Sequence, residues 1–239
     1  MKALILNSGL GHRMGDITKT HPKCMTDIPN GETILSRQLR IIAAAGIKDV
    51  VMTTGYFDQI LIDYCNSLNL GLNYTFVKNP IYDQTNYLYS IYCAKDVLKD
   101  EDVIMMHGDL VFATNVFEEV VKSDASCMTV SSTLPLPEKD FKAVVSGNRI
   151  EKVGIEFFDS AMAAQPLYRL NAKDWNIWLD EIIAFCETDN RKCYAENAFN
   201  KVSDKCEILT LDVKDDLCGE IDTPEDLEIM SAKIRLLNE

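Results

Sequence analysis

Short apolar segments alternate with helical patterns through the first half of the chain, and this alternation limits the possible folds more than any other feature. The strand-like segments are residues 3–6, 50–54, 72–77 and 103–106, and the helical patterns between them are residues 34–45, 59–66 and 87–97. Such alternation predicts βαβ units around a mainly parallel sheet. Ligands on such sheets bind beyond the carboxyl ends of the strands. We therefore expect the loops after Leu6, Thr54 and Met106 to form the site.

The second half of the chain has a different pattern. After a helical pattern at 116–121, strand-like segments occur at 127–132, 143–146 and 149–153, with Gly147-Asn148 as a plausible hairpin turn. Helical patterns at 175–186, 196–202 and 224–237 and a strand pattern at 207–211 complete the chain. No internal repeat or flexible linker divides the sequence. The predicted fold is therefore α/β, a single domain of residues 1–239 with a Rossmann-like, mainly parallel sheet flanked by helices and a small β-rich insertion near residues 127–170.

Composition excludes several classes of function. Thirty-seven acidic residues outnumber 24 basic ones, and the net charge of −13 argues against nucleic-acid or anionic-membrane partners, which favour basic surfaces. No apolar run approaches the roughly 18 to 20 residues of a membrane span, and the N-terminal run is too short for a signal peptide. The eight cysteines contain no C-x-x-C pair, so neither a zinc site nor a disulfide framework is indicated. We expect a cytoplasmic protein.

The loop after the first strand carries the strongest chemical signal. Gly9 and Gly11 allow a loop to expose its amide groups to a triphosphate, and Arg13 and Lys23 add positive charge. Arginine suits forked contact with a departing pyrophosphate, while lysine places a point charge on phosphoryl oxygens. Met14 occupies the place of the third glycine of a dinucleotide-binding motif, and no G-K-[ST] follows as in a Walker A loop. The pattern therefore indicates a different kind of nucleoside triphosphate site.

Two carboxylates are candidates for metal binding. Asp109 follows the apolar strand at 103–106, where a carboxylate can bind a hard cation. Asp222 directly precedes Thr223, Pro224 and Asp226, which together predict a capped helix N-terminus. The cap explains those three residues and does not require Asp222.

The motif of a strand, G-x-G-x-R and then P-K resembles the signature of nucleotidyltransferases that activate sugar 1-phosphates and phosphocholine. Within that superfamily the whole chain resembles the bacterial CTP:phosphocholine and phosphonate cytidylyltransferases. Further matching segments occur in the expected order, namely Gly55-Tyr56, Asn86-Tyr87-Leu88-Tyr89-Ser90-Ile91-Tyr92 and Gly219-Glu220-Ile221-Asp222. One difference is that the family usually has two alanines before the first glycine, where this chain has Asn7-Ser8.

The resemblance implies roles for individual residues. Arg13 and Lys23 would be catalytic, and Asp109 and Asp222 would bind Mg²⁺. The implied nucleotide-binding residues are Asn7, Ser8, Gly9, Gly11, Gly55, Tyr56 and Asn86. An acceptor phosphate or phosphonate is already anionic near neutral pH, so none of His12, His21 and His107 need act as a base. We interpret His12 and His21 as loop surface residues and place His107 near the metal site.

The acceptor end is expected around Phe141, Tyr194 and Glu196, because choline-specific relatives hold a quaternary ammonium in an aromatic cage with nearby carboxylates. Arg169 or Lys142 could instead contact an acidic acceptor group. The sequence favours a cytidylyltransferase that joins CTP to a small amine-bearing phosphonate or phosphate, such as 2-aminoethylphosphonate or phosphocholine, and releases pyrophosphate. Two alternatives stay open, a sugar-1-phosphate nucleotidyltransferase using UTP, dTTP or GTP and a noncatalytic nucleotide-binding subunit. The oligomeric state is also open.

Overall fold

The computed structural model describes residues 1–237 of the chain, which contain strands, α-helices and short 3₁₀ turns. The strands are β1 Lys2–Leu6, β2 Asp27–Ile28, β3 Glu32–Thr33, β4 Asp49–Thr54, β5 Asn73–Lys78, β6 Val103–His107, β7 Leu110–Phe112, β8 Cys127–Ser131, β9 Lys142–Ser146, β10 Arg149–Gly154, β11 Ala161–Leu170, β12 Leu209–Asp212 and β13 Cys218–Glu220. The helices are α1 Ile34–Ala44, α2 Asp58–Ser67, α3 Tyr87–Cys93, α4 Lys95–Leu98, α5 Thr114–Lys122, α6 Ala172–Glu187, α7 Ala195–Val202 and α8 Pro224–Leu236. No helix in this part of the chain is both long enough and apolar enough to cross a membrane.

The main sheet is mixed rather than mainly parallel. Its nine strands lie in the order β5-β4-β1-β6-β11-β8-β12-β10-β9. The first four strands are parallel neighbours, as the βαβ pattern predicts. Strand β11 then runs antiparallel to both β6 and β8, and the β9–β10 hairpin is also antiparallel. The prediction of a parallel sheet is therefore correct for the first four strands and wrong for the sheet as a whole.

The region predicted as a separate β-rich insertion belongs to this same sheet. Strands β8 and β11 lie inside it, and β9 and β10 lie at its far edge. The ten-residue strand β11 escaped prediction because Pro166 cannot donate a ladder hydrogen bond and argues against an interior strand. The register between β11 and β8 shifts between Ala164 and Tyr168, and this irregularity accommodates the proline.

The central strands are buried on both faces, because helices cover both sides of the sheet. Alternate residues of β1 separate accordingly: Ala3 and Ile5 pack in one apolar core and Leu4 and Leu6 in the other. The first core contains apolar residues of α1 and α5, and the second contains those of α6 and α7. This explains why the strand is an uninterrupted apolar run rather than an alternating one.

Two local features place the ends of elements beside the site. The helix predicted at 87–97 is broken at Ala94 into α3 and α4, and the Asn86 side chain caps α3 by accepting from the Tyr87 N–H at 2.8 Å. Strands β7 and β13 form a separate two-stranded antiparallel ribbon in which Glu220 lies opposite Leu110. Since the ribbon joins two distant parts of the chain, it determines where the residues after β13 lie relative to those between β6 and β7.

Candidate active site

The carboxyl ends of β1, β4 and β6 meet at one edge of the sheet, where Leu6 lies in register with Thr53 and His107. The backbone segments pack closely there: a Cβ on Gly108 would lie 2.9 Å from the Leu6 carbonyl oxygen, so a larger residue would require the backbone to shift. In this part of the protein Nδ2 of Asn7 and Oγ of Ser8 are buried without a hydrogen-bond partner. Buried polar groups without partners are costly, so these two atoms are available to a ligand.

The glycine-rich loop turns directly over Lys23. Gly11 has φ 65°, which is unfavourable for other residues, and a Cβ there would lie 3.1 Å from Cβ of Lys23. The Thr18 hydroxyl donates to the Gly11 carbonyl at 3.0 Å and holds the turn. A cavity beside the loop is bordered by Gly9, Gly11, Arg13, Lys23, Asp109 and Asp222. The structure thus brings together the residues predicted to bind phosphate and metal.

Lys23 connects the two carboxylates at the centre of the site. Its ammonium donates to Oδ2 of Asp109 at 2.5 Å and also to Oδ1 of Asp222. Arg13 reaches the same Asp222 oxygen at 2.8 Å from the solvent side. Burial lowers the pKa of Lys23, but the two carboxylates more than offset this and raise it. Burial raises the pKa of Asp109, and Lys23 and His107 lower it below its ordinary value.

The β7–β13 ribbon brings Asp222 to Asp109. The Ile221 N–H donates to the Asp109 carbonyl at 3.0 Å, directly past the end of the ribbon. Asp226 then accepts from the N–H groups of Asp222 and Thr223 at the start of α8, the predicted cap. The sequence motif at the helix N-terminus therefore fixes the backbone on which Asp222 is carried.

A cleft of about 430 Å³ extends from this carboxylate pair. The residues that border it are Leu6, Ser8, Gly9, Arg13, Asn79, Tyr82, Thr85, Asn86, Tyr87, Ser90, His107, Asp109, Lys139, Asp140, Phe141, Ile155, Tyr194, Glu220 and Asp222. Predicted site residues are thus present at both the phosphate and the acceptor ends.

The side of the cleft near α3 is polar, and its side chains hydrogen-bond to one another. Nδ2 of Asn79 donates to the hydroxyls of Thr85 and Ser90, each at 3.0 Å, and the Asn86 N–H donates to the Arg191 carbonyl. Of these residues only Asn86 was predicted, because Asn79 and Thr85 lie in a loop whose sequence has no distinctive motif.

The predicted pair Gly55 and Tyr56 lies next to the cleft rather than inside it. A Cβ on Gly55 would lie 2.4 Å from the Ser8 carbonyl oxygen, so this residue supports the loop after β1. Tyr56 is 65% exposed, and its ring centroid lies 6.3 Å from that of Tyr82, which does border the cleft.

Four rings that contact one another border the same cleft, and we call Tyr87, His107, Phe141 and Tyr194 the aromatic box. The centroids of Phe141 and Tyr194 lie 5.0 Å apart in an edge-to-face contact, and those of Tyr87 and His107 lie 4.8 Å apart. Two of these residues, Phe141 and Tyr194, were predicted as acceptor ligands. The arrangement surrounds the end of the cleft with aromatic faces.

Three predicted acceptor residues lie elsewhere. Glu196 is buried behind the box, where its carboxylate accepts from the hydroxyls of Tyr87 and Tyr168. Arg169 pairs with Ile104 near the opposite end of β6, and Nζ of Lys142 is used by backbone carbonyls. None of these three residues borders the cleft, and for Arg169 the reason is that β11 runs antiparallel to β6 and carries it away from the site.

Glu220 is the acidic residue that does border the acceptor end, and it was not predicted as a ligand. Its Oε1 lies 2.7 Å from Nδ1 of His107. Burial lowers the pKa of His107, whereas Glu220, Asp109 and Glu196 raise it to about 9. The spacing of two between Glu220 and Asp222 is a signal that both face the same side of an extended segment.

The donor set fits a hard divalent cation. Oδ1 of Asp109 is buried without a hydrogen-bond partner, although it faces the centre of a charged site. Ligand atoms of His107, Asp109 and Glu220 all lie within 4.8 Å of one another. Carboxylate oxygens are the ligands that Mg²⁺ prefers. The Lys23 ammonium lies between Asp109 and Asp222, so the two carboxylates already share a cation at this place.

Comparison with known proteins agrees with this geometry. Residues 3–132 match the MobA-like NTP transferase domain family. The chain is 29% identical over 128 residues to CTP:phosphoglutamine cytidylyltransferase of Campylobacter jejuni, covering 52% of this chain and 49% of that protein. It is 30% identical over 111 residues to 2-aminoethylphosphonate cytidylyltransferase of Lancefieldella rimae, covering 46% and 44%. The chain thus matches just under half the length of each relative.

The fold comparison extends over nearly the whole chain. The structure of CTP:phosphocholine cytidylyltransferase from Streptococcus pneumoniae superposes with a TM-score of 0.79 and 18% identity, covering 98% of each chain. At this identity the match shows the α/β nucleotidyltransferase fold. The chain belongs to the MobA-like NTP transferase domain family, and its predicted resemblance to cytidylyltransferases is confirmed.

Proposed function

We propose that the protein is a Mg²⁺-dependent cytidylyltransferase that joins CTP to a small amine-bearing phosphonate or phosphate and releases pyrophosphate. The observation that carries this proposal is one cleft bordered both by Arg13, Asp109 and Asp222, whose carboxylates Lys23 bonds, and by the four rings of the aromatic box. Relatives named as cytidylyltransferases of phosphoglutamine and 2-aminoethylphosphonate support the same class of acceptor.

The reaction is an in-line displacement at the α-phosphorus. An oxygen of the acceptor anion forms a new bond to that phosphorus, and the bond to the bridging oxygen of the β-phosphate breaks, so pyrophosphate leaves with the electron pair. No proton must be removed from an anionic acceptor. Arg13 and Lys23 stabilise the charge that develops on the leaving group. Asp109 and Asp222 would hold Mg²⁺, which would supply additional charge stabilisation at the phosphates when bound.

The acceptor end suits a cationic tail. Asp140 and Glu220 both border the cleft, so two carboxylates accompany the four aromatic rings. Ammonium groups are attracted by aromatic faces and carboxylates, whereas a neutral sugar gains little from either. Asn7, Ser8 and Asn86 supply polar groups on the nucleotide side, where Gly9 and Gly11 shape the loop and Gly55 and Tyr56 support its border.

We further propose that residues 1–239 act as one nucleotidyltransferase domain in the cytoplasm, where CTP is available. Support for one domain comes from the main sheet, because its nine strands come from both halves of the chain, the first being β1 and the last β12. The acidic net charge of −13 fits small-molecule substrates better than nucleic acid.

The test is pyrophosphate release, measured with CTP, UTP, dTTP, ATP and GTP against 2-aminoethylphosphonate, phosphocholine and glucose 1-phosphate. We expect CTP with an amine-bearing acceptor to give the highest kcat/KM. Faster turnover of glucose 1-phosphate would favour the sugar-nucleotide alternative, and no release with any pair would favour a noncatalytic nucleotide-binding subunit.

A further inference from the structure

Lys142 is a fully buried lysine whose ammonium holds a loop beside the cleft. It is the first residue of β9, and its Nζ donates to the Pro137 carbonyl at 2.5 Å and to the Asp140 carbonyl at 3.1 Å. Both acceptors are backbone oxygens of the segment just before the strand. The ammonium therefore closes that segment, residues 137–141, into a turn.

An aromatic ring covers the remaining side of this ammonium. Nζ of Lys142 lies 4.2 Å from the ring centroid of Phe158, in the connection between β10 and β11. Phe158 is itself 51% exposed, which is unusual for a phenylalanine. The cation–π contact with Lys142 stabilises the exposed ring in this position. The Lys142 ammonium thus links two loops, one before β9 and one after β10.

The closed segment forms one wall of the acceptor end. Lys139, Asp140 and Phe141 all border the cleft. Phe141 also contacts Tyr194, and its carbonyl accepts from the Ala164 N–H at 3.1 Å, which ties the end of the segment to β11. Within the described residues 1–237, the start of the segment pairs with no strand, and the Lys142 ammonium bonds two of its carbonyls. The position of Asp140 therefore depends on Lys142.

Stability alone does not account for a lysine at this position. Removing an ammonium from water is unfavourable, and apolar residues of similar volume commonly pack in such places at lower cost. The gain from Lys142 is geometric, because a methionine would fill the space without bonding either carbonyl. This separates the role of Lys142 from ordinary core packing.

We propose that Lys142 is a positioning residue that fixes the acceptor wall at 137–141 and thereby sets affinity for the acceptor without contacting it. The inference rests on the proposed function for its kinetic consequence, but its structural consequence does not depend on that function. Lys142 follows residues that border the cleft, but its ammonium bonds the two carbonyls and does not itself reach the cleft.

The experiment compares Lys142→Met with Lys152→Met, an exposed lysine on β10 near the ring of Phe157. Amide hydrogen exchange is followed in both variants, and KM is measured for CTP and for 2-aminoethylphosphonate. For Lys142→Met we expect faster exchange across 137–141 and an acceptor KM raised about 2- to 10-fold, the equivalent of roughly one hydrogen bond. The KM for CTP should stay within about twofold, since loss of ground-state binding is confined to one end. Lys152→Met should match the native protein in amide exchange across 137–141 and in both KM values.

Unchanged exchange across 137–141 in Lys142→Met overturns the proposal, and so does an equal rise in both KM values, which indicates general destabilisation. If Lys142→Met does not fold, Lys142→Gln replaces it, because the amide keeps a buried donor while its shorter side chain cannot bond both the Pro137 and the Asp140 carbonyl. We then expect faster exchange across 137–141, and unchanged exchange again overturns the proposal. If the native protein has no CTP-dependent activity, the proposed function fails, while the exchange measurement still decides the role of Lys142.

Discussion

The Lys23 ammonium lies 2.5 Å from Oδ2 of Asp109 and at the same time bonds Asp222. Two carboxylates this close repel each other unless a cation lies between them. Lys23 supplies that cation in the protein without ligands. Because a divalent metal and the phosphates of a nucleotide would both compete for these partners, Lys23 must exchange contacts when they bind.

Lys23→Met should therefore affect folding as well as turnover. Without the ammonium, Asp109 and Asp222 lose their shared donor, and the free energy of unfolding should fall by about 1 to 3 kcal/mol in metal-free buffer at pH 7. Mn²⁺ should restore part of this loss by replacing the missing charge, and turnover should fall by roughly two to three orders of magnitude. Urea unfolding with and without Mn²⁺ measures the first effect, with the exposed Lys48→Met as control. Equal stability of Lys23→Met and Lys48→Met in metal-free buffer would contradict the expectation.

Arg13→Ala should separate catalysis from stability. The Arg13 side chain is 66% exposed, so its ion pair with Asp222 is screened by solvent and contributes little to folding. We expect turnover with CTP to fall by roughly two to three orders of magnitude while Tm stays unchanged. Steady-state kinetics and thermal unfolding on the same sample test this. Near-native turnover would show that the loop does not stabilise the leaving group.

Asp109→Asn and Asp222→Asn should each remove metal binding and activity together. The amide keeps the shape of the carboxylate but not its charge, and Mg²⁺ favours charged oxygen ligands. Mn²⁺ binding in the presence of CTP can be followed by calorimetry, with Asp140→Asn as a matched control in the same cleft. Native Mn²⁺ affinity in either variant would exclude that residue as a ligand, and EDTA should abolish native turnover.

Glu220→Gln should act on the acceptor. Glu220 borders the cleft at the aromatic box while Glu196 lies behind it, so of these two glutamates Glu220 is the one that an ammonium group can reach. KM for 2-aminoethylphosphonate should rise and KM for CTP should change little. Glu196→Gln should instead lower Tm, since it weakens the acceptor of the Tyr87 and Tyr168 hydroxyls. An acceptor KM that responds to Glu196→Gln alone would reverse these assignments.

The protonation of His107 gives a prediction that needs no substrate. The pKa of His107 is about 9 in the folded protein, above the roughly 6.5 of an unperturbed histidine. Protonation therefore favours folding, so its contribution to stability is complete below about pH 6.5 and is lost as the pH rises through about 9. NMR of the imidazole protons in metal-free protein, assigned with His107→Gln, measures the pKa. Titration near pH 6.5 would contradict the expected effect of the surrounding carboxylates.

The phosphate end was predictable because its signals are local in sequence. Gly11, Arg13 and Lys23 lie within one loop, and the strand before it is an apolar run that periodicity identifies. The cap at Thr223 was likewise legible, since its residues contact one another across three positions. In each case the residues that lie together in the structure also lie close together in the sequence.

The acceptor end was only partly predictable, because it depends on the direction of a strand. Arg169 lies away from the cleft because β11 is antiparallel to β6. No local sequence pattern specifies the direction of that strand. Pro166 also made β11 difficult to predict, because proline is unfavourable in an interior strand. Glu196 and Glu220 each lie near aromatic residues, and only tertiary packing distinguishes the buried carboxylate from the one at the cleft.

The β7–β13 ribbon has a consequence for how such a protein can diversify. It joins Asp109 to Asp222, so both ends of the long intervening stretch of chain are anchored at one place. Within that stretch lie Phe141 and Tyr194, which border the acceptor end. Substitutions accumulated between the two anchors can therefore alter the accepted molecule while leaving the displacement machinery intact. A chimaera that exchanges only residues 133–217 with a relative should inherit the relative's acceptor preference together with this chain's own nucleotide preference.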